Sequence, residues 1–120
     1  MFLVSVIIPM YNSETTIARA LDSINAQSQL SFVGEVIVVN DGSTDNSHNT
    51  IETLIKTATF PINYINNAKN KHKMACFFQA IHVAKGEFLL PFDSDDACVP
   101  EALELFNKEY TAMCLALSLV

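Results

Sequence analysis

The sequence has no tryptophan, three glycines, three cysteines and only seven lysines and arginines in 120 residues, against thirteen acidic residues. The few basic residues are scattered, so the basic stripe expected of a nucleic-acid-binding protein is missing and nucleic acid is not an expected partner. The cysteines, Cys76, Cys98 and Cys114, share no CxxC or metal-ligand spacing. This pattern favours reduced thiols over a disulfide or a structural zinc site.

Long apolar runs and targeting signals are also lacking. No apolar run reaches the roughly 18 residues that a membrane-spanning helix needs. The amino terminus has neither a basic flank nor a small-residue cleavage site. The apolar stretch Met113–Val120 is too short to span a bilayer. We therefore expect a cytoplasmic protein. Any contact with a membrane is expected to be peripheral, at its cytoplasmic face.

Apolar residues are abundant. Half of the residues are hydrophobic and the mean hydropathy is +0.26, which predicts a buried sheet rather than disorder. The length fits one domain, so we assign residues 1–120 to a single domain.

Apolar runs and helical periodicities alternate along the chain. The runs predict strands that are covered on both faces of the sheet, at Leu3–Pro9, Val36–Asn40, Ile62–Ile65 and Glu87–Phe92. Between and after the strands, the pattern predicts helices at about residues 14–28, 44–58, 72–85 and 100–109, with Ser13 and Thr44 as N-caps and Met74, Phe77, Phe78 and Ile81 as the apolar stripe of the third. This order predicts an α/β fold, a three-layer α/β/α sandwich around a mostly parallel sheet.

Polar segments follow three of the strands, at the edge where such sheets bind ligands. They are Pro9–Asn12, Asp41–Asp45 and Asp93–Asp96. The last provides hard oxygen ligands that suit Mg²⁺ or Mn²⁺ together with phosphate oxygens. The alternative is that Asp93–Asp96 is a solvated loop and that Asp41–Asp45 is an ordinary turn.

The same segments carry a family resemblance. Val4–Asn12, Val39–Asp45 and Phe92–Asp96 resemble, in order and spacing, the motifs of family 2 glycosyltransferases, and Ala84–Phe88 resembles the family's entry into the last of these strands. The resemblance extends over residues 3–106. It implies the nucleotide-sugar-binding half of the GT-A fold, which is Rossmann-like.

The resemblance also implies roles for individual residues. Pro9 and Tyr11 would border the base, and Asp41 would hydrogen-bond the nucleoside. Asp93 and Asp95 correspond to the DXD pair and would also bind the nucleotide. Asp95 or Asp96 would lie nearest a Mn²⁺ or Mg²⁺ ion, and the neighbouring carboxylate could reach the ribose.

The reaction implied by the family is inverting sugar transfer from a nucleotide-diphosphate sugar, most commonly a UDP-sugar, to a saccharide or lipid-linked acceptor. Such transfer needs a general base, and no residue after Asp96 matches one. We therefore expect a C-terminally truncated member, poorly active on its own, whose uncovered sheet surface favours self-association.

Two features depart from the family pattern. Cys76–Ala80 stands where the family often has Ala-Arg-Asn-x-Gly, so a common arginine is missing. Lys69, Lys71 and Lys73 precede this segment, either as phosphate contacts or as a solvated connector. His72 and His82 show no metal-ligand spacing.

The sequence leaves three alternative functions. The chain could be a non-catalytic nucleotide-binding or partner-binding fragment. It could also be another metal-dependent α/β enzyme, such as a phosphatase or nucleotidyltransferase, although the first two strand ends fit this poorly. A nicotinamide-binding domain is disfavoured because no G-x-G-x-x-G follows the first strand.

Overall fold

The computed structural model describes the backbone of residues 3–118 and the side chains of residues 3–113. The elements are, in order, β1 (Val4–Met10), α1 (Ile17–Asn25), a 3₁₀ turn (Leu30–Phe32), β2 (Val33–Asp41), α2 (Ser47–Thr57), β3 (Ile62–Asn67), α3 (Lys73–Val83), β4 (Phe88–Pro91) and α4 (Ala102–Ser118). Cys76 and Cys98 carry free thiols. The side chain of Cys114, predicted to be a third thiol, lies outside the described residues, as do most of the apolar side chains of residues 113–120.

The four strands form one sheet with the order β3-β2-β1-β4. Every described pairing is parallel, and β1 and β2 are in register from Ser5 opposite Glu35 to Met10 opposite Asn40. Because each connection crosses over through a helix, the helices cover both faces of the sheet. The predicted three-layer parallel architecture is confirmed.

Alternate residues of the central strands supply two apolar cores. Val4, Val6, Ile8 and Met10 face one core, which is closed by α1, α2 and α4, while Ile7, Ile37 and Val39 face the core beneath α3. The four predicted apolar positions of α1 are at most 5 % exposed, which confirms its predicted face: Ile17, Ala20, Leu21 and Ile24.

The apolar face predicted for α3 is wrong. Met74 and Phe78 are 65 % and 57 % exposed, whereas Cys76 and Ala80 are fully buried. Of the predicted stripe, Phe77 packs on the core beneath α3. The small side chains at 76 and 80 allow the helix to lie close to the sheet, so close packing rather than residue hydrophobicity decides which face is buried.

β4 also differs from its prediction. It lies at the edge of the sheet, and Leu89 and Leu90 are 42 % and 37 % exposed instead of being covered on both faces. The fourth helix is longer than predicted, because α4 continues past residue 109 to Ser118. Among the described residues, no helix combines the length and apolarity that crossing a bilayer requires.

Both predicted N-caps are wrong. The helices begin three residues later than expected, at Ile17 and Ser47, and neither has a side-chain cap from its N-cap residue. Ser13 contributes its carbonyl oxygen, which accepts from the Ile17 amide at 3.0 Å. The Thr44 hydroxyl instead contacts the side chain of Asn12. These two polar residues are therefore used to join loops rather than to begin helices.

Candidate functional site

The carboxyl ends of β1, β2 and β4 surround one cavity of about 270 Å³. Its lining consists of Pro9, Met10, Tyr11, Asp41, Lys73, Asp93 and Asp95. The structure thus brings together all five residues that were predicted to contact a nucleotide. Asp96 lies beside them in the turn formed by residues 93–96, which we call the acidic turn. Its carboxylate is near those of Asp93 and Asp95.

Asn12 ties the loop after β1 to the loop after β2. Its backbone has a φ of +48°, which asparagine tolerates better than most residues. The Asn12 Oδ1 atom accepts from the Thr44 amide at 2.8 Å and from the Asp45 amide at 3.3 Å, and the Asn12 amide donates to the Ser43 hydroxyl at 3.0 Å. This network fixes the two loops that flank Tyr11 and Asp41.

Asp45 anchors the start of α2. One carboxylate oxygen accepts from both the hydroxyl and the amide of Ser47, at 2.6 and 2.9 Å. Desolvation opposes ionisation, but these bonds and one from the Glu14 amide lower the pKa of Asp45 below its usual value. The carboxylate therefore takes the position beside the helix start that was predicted for Thr44.

A buried pair of hydroxyls links the first loop to the acidic turn. Ser13 and Ser94 are 6 % and 9 % exposed, and their Oγ atoms lie 2.6 Å apart. The Ser13 hydroxyl also donates to the Tyr11 carbonyl, and its amide donates to the Ser47 hydroxyl at 2.7 Å. The position of the acidic turn is consequently coupled to both neighbouring loops.

The acidic turn itself is tight. The Asp96 amide donates to the Asp93 carbonyl at 3.1 Å, and the Arg19 guanidinium on α1 donates to the Asp95 carbonyl at 2.6 Å. Arg19 thus binds the backbone carbonyl of Asp95 and not its side chain. The Asp95 carboxylate therefore remains available in the cavity lining.

The turn fits a divalent cation. One carboxylate oxygen from each of Asp93, Asp95 and Asp96 lies within 4.8 Å of the others, close to the span of about 4.2 Å expected for two oxygens on opposite sides of Mg²⁺. Asp95 and Asp96 are exposed, so small side-chain rotations can close the difference, and water or phosphate oxygens can complete the shell. Three carboxylates this close repel one another without a cation.

Asp41 is buried, and a backbone hydrogen bond fixes the orientation of its carboxylate. It is 4 % exposed, and its Oδ1 atom accepts from the Lys71 amide at 2.6 Å. The Cys76 thiol lies behind it in the core, where burial and then the neighbouring Asp41 carboxylate raise the pKa of the thiol to about 12. Cys76 is therefore a neutral packing group, and Asp41 is the acceptor that this part of the site offers.

Gly42 allows the loop after β2 to meet the segment before α3. Its φ is +71°, and a Cβ atom there would lie 2.6 Å from the Asn70 amide nitrogen and 2.7 Å from the Lys69 carbonyl carbon. Both atoms belong to backbone, so neither can move aside as a side-chain end would. The close approach is what brings the Lys71 amide within reach of Asp41.

Lys73 is the one connector lysine that lines the cavity. Its Nζ atom forms an ion pair with Asp93. Lys71 contributes its backbone amide instead, and neither Lys69 nor Lys71 lines the cavity. A phosphate contact by Lys73 stays a prediction, because the structure shows only its ion pair with Asp93.

Several contributors were missed by sequence reasoning. No role was predicted for Asn12 and Ser94, although both lie inside the sequence motifs, or for Arg19, which lies on α1 outside its apolar stripe. A polar residue directly after a strand was the available signal for Asn12. The contact of Arg19 with residue 95 spans 76 positions, and no local pattern indicates it.

Comparison with known proteins places the chain in a family. The family model described as "Glycosyl transferase family 2" matches residues 5–114. The chain is 36 % identical over 114 residues to the Pasteurella multocida hyaluronan synthase and 30 % identical over 105 residues to the Salmonella typhimurium abequosyltransferase RfbV. These matches cover 90 % and 88 % of the chain but 11 % and 32 % of the two relatives. The chain belongs to glycosyl transferase family 2.

Solved structures agree. S. aureus TarS 1-349 in complex with UDP-GlcNAc superposes with a TM-score of 0.79 at 32 % identity, over 88 % of this chain and 30 % of TarS 1-349. The Pyrobaculum calidifontis mannosyltransferase PcManGT in complex with GDP-Man and Mn²⁺ gives 0.77 at 26 % identity, over 83 % of this chain and 30 % of that one. The GT-A fold, Rossmann-like in this half, is confirmed, and the chain spans about a third or less of the length of these proteins.

Proposed function

We propose that this member of glycosyl transferase family 2 binds a nucleotide-diphosphate sugar together with Mn²⁺ or Mg²⁺, as the donor-binding part of an inverting glycosyltransferase. The observation that carries the proposal is the single cavity on which Tyr11, Asp41 and the acidic turn converge. A UDP-sugar is the favoured donor, and a saccharide or lipid-linked molecule is the proposed acceptor. The UDP-GlcNAc complex of the TarS structure supports the choice of donor.

The nucleoside end of the cavity offers an apolar border and one fixed acceptor. The Tyr11 ring is 48 % exposed, so a base can pack against it beside Pro9. The carboxylate of Asp41 can accept hydrogen bonds at both oxygens. With one oxygen oriented by the Lys71 amide, it can still accept from an N–H or O–H of the nucleoside.

The acidic end would hold the metal. Asp95 and Asp96 are the proposed ligands, and Asp93 lies within reach of the same ion. A bound divalent cation would stabilise the negative charge that develops on the leaving diphosphate. The contacts of the Ser13–Ser94 pair and of Arg19 with this turn support the proposal, because they would hold its carboxylates in position for such an ion.

In the proposed reaction, the bond between the anomeric carbon and the diphosphate oxygen breaks, and its electron pair leaves with the nucleoside diphosphate. The acceptor hydroxyl oxygen forms the new bond from the opposite face of the sugar, and its proton passes to a general base. We assign no base among the residues that the structure describes. This chain's own residues bind and orient the donor, which is a separate contribution to the rate.

The test is calorimetric titration of UDP, GDP and dTDP into the purified chain, with Mn²⁺ and with EDTA. We expect at least one diphosphate to bind in Mn²⁺, and its affinity to fall at least about tenfold in EDTA or in Asp95→Ala, because a lost charge contact of this kind is large. Asp22→Ala, an exposed site on α1 with the same charge change, is the control and should bind normally.

Two results would count against the proposal. Equal affinity in EDTA would overturn the metal role, and no binding by any of the three nucleotides would overturn the donor site. A chain that binds nucleotide and metal yet supports no transfer in its natural context would fit the alternative of a non-catalytic nucleotide-binding segment.

A further inference from the structure

We infer that Lys73 is a further donor-binding residue, which contacts the diphosphate when a nucleotide is bound and Asp93 when the site has none. The inference rests on the proposed function, because it assigns a ligand to the diphosphate of the same donor. It starts from the position of the Lys73 ammonium group, on the cavity wall beside Asp93.

The charges of the cavity create the need for such a residue. Three carboxylates line it, those of Asp41, Asp93 and Asp95, and Asp96 lies beside them. Lys73 is the basic residue in the lining. A diphosphate brings several further negative charges into this space. A metal at Asp95 and Asp96 offsets part of the repulsion, and the Lys73 ammonium group can offset more by donating a charge-assisted hydrogen bond to a phosphate oxygen.

The location of Lys73 within its helix points the same way. It is the first residue of α3 and follows His72, which has a φ of +71°. A cation at a helix amino terminus interacts unfavourably with the helix dipole, so helix stability does not explain a lysine here. The contact that this position gains is with Asp93, which belongs to the acidic turn after β4.

The ion pair is also free to rearrange. The side chains of Lys73 and Asp93 are 58 % and 48 % exposed, so the ammonium group can swing on its flexible stem without disturbing either core. An exposed pair of this kind contributes little to stability. Moving the ammonium group from Asp93 to a nearby phosphate oxygen therefore replaces one anionic oxygen acceptor with another.

A purely structural Lys73 makes a different prediction from a diphosphate ligand. If Lys73 only held Asp93 in place, its removal would weaken the binding of both metal and nucleotide. If it is a phosphate ligand, its removal takes a positive charge away from the metal site, so Mn²⁺ alone should bind more tightly. The nucleoside diphosphate should then bind more weakly, because its own contact is lost.

The experiment compares the wild-type chain with Lys73→Met, Lys73→Arg and the control Lys85→Met. Lys85 is exposed and precedes the amino end of β4, whereas the cavity lies at the carboxyl ends of the strands. Lys85→Met therefore makes the same change in net charge away from the site. Mn²⁺ is titrated alone, and UDP and UMP are titrated at saturating Mn²⁺. UMP lacks the outer phosphate, so it separates the diphosphate contact from the rest of the nucleotide.

We expect Lys73→Met to bind UDP about tenfold more weakly, as for the loss of a charge-assisted hydrogen bond. UMP affinity should change less than about twofold, and Mn²⁺ alone should bind roughly threefold more tightly after screening by salt. Lys73→Arg should restore UDP affinity, and Lys85→Met should behave as wild type.

Unchanged UDP affinity in Lys73→Met, or a parallel loss of Mn²⁺, UMP and UDP binding, would overturn the inference while leaving the proposed function in place. If wild-type protein binds no nucleoside diphosphate, the proposed function fails, and the inference fails with it.

Discussion

The hydroxyl groups of Ser13 and Ser94 lie 2.6 Å apart, buried between the loop after β1 and the acidic turn after β4. This contact joins residues 81 positions apart in sequence. Because Ser13 also binds the Tyr11 carbonyl and the Ser47 hydroxyl, one small network positions both the nucleoside border and the proposed metal ligands. A change at either serine should therefore be felt at the site as well as in stability.

Ser94→Ala tests this coupling. Loss of the buried hydrogen bond should lower the free energy of unfolding by about 1 kcal/mol, measured by urea denaturation, and should weaken Mn²⁺ binding because the turn is less well held. In a double-mutant cycle, Ser13→Ala and Ser94→Ala should be non-additive by at least about 0.5 kcal/mol. Additive effects would mean that the two hydroxyls act independently.

Gly42→Ala should be severe. The substitution places a side chain at a φ of +71° and a Cβ atom 2.6 Å from the Asn70 amide nitrogen. The left-handed backbone alone costs roughly 1–2 kcal/mol, and relief of the contact must displace the segment that orients Asp41. We expect the urea midpoint and the nucleotide affinity to fall together.

Gly34→Ala is the matched control, because its Cβ atom would lie 3.1 Å from the Leu3 Cβ atom, a milder approach than the 2.6 Å at Gly42, and no unusual φ is involved. It should cost less stability than Gly42→Ala and leave nucleotide binding unchanged. Equal losses of stability and nucleotide affinity in the two variants would contradict the claim that the backbone at Gly42 requires glycine.

Cys76 should be chemically silent in the folded protein. Burial and the neighbouring Asp41 raise the pKa of the thiol from 9.0 to about 12, and only the thiolate reacts with alkylating agents. At pH 8, iodoacetamide should label the half-buried Cys98 faster than Cys76, as followed by mass spectrometry of the two peptides. Labelling of Cys76 at the same rate would contradict the buried, neutral thiol.

The raised pKa of the Cys76 thiol also predicts how the stability of the fold changes with pH. The fold favours the neutral thiol, so its contribution is complete below pH 9.0 and declines as the pH rises towards 12. Cys76→Ala should therefore lose less stability relative to wild type at pH 10.5 than at pH 7, in denaturant titrations at the two pH values.

The sequence was sufficient to predict the sheet and the residues at its edge, because both follow from local patterns. An apolar strand and the polar segment after it are adjacent in the chain, and parallel pairing then brings Tyr11, Asp41 and Asp93 to one cavity. The periodicity of α1 was equally informative, since its buried positions are all apolar and follow the helical spacing i, i+3, i+4, i+7.

What could not be predicted depends on partners distant in the chain. The stripe of α3 was misassigned because Cys76 and Ala80 are buried for their small size, which matters only once the sheet beneath them is known. Ser13 and Thr44 have the chemistry of helix caps, yet Ser94 and Asn12 compete for their hydroxyls. Local propensity is overridden where a tertiary contact offers a better hydrogen bond.

The central claim is that one cavity binds both the nucleoside and the metal-bound diphosphate, and a crystal structure of the chain with UDP and Mn²⁺ tests it most directly. We expect an anomalous Mn²⁺ peak about 2 Å from carboxylate oxygens of Asp95 or Asp96, with diphosphate oxygens completing the shell and the uracil ring against Tyr11. UDP bound elsewhere, or Mn²⁺ without a ligand from the acidic turn, would contradict it.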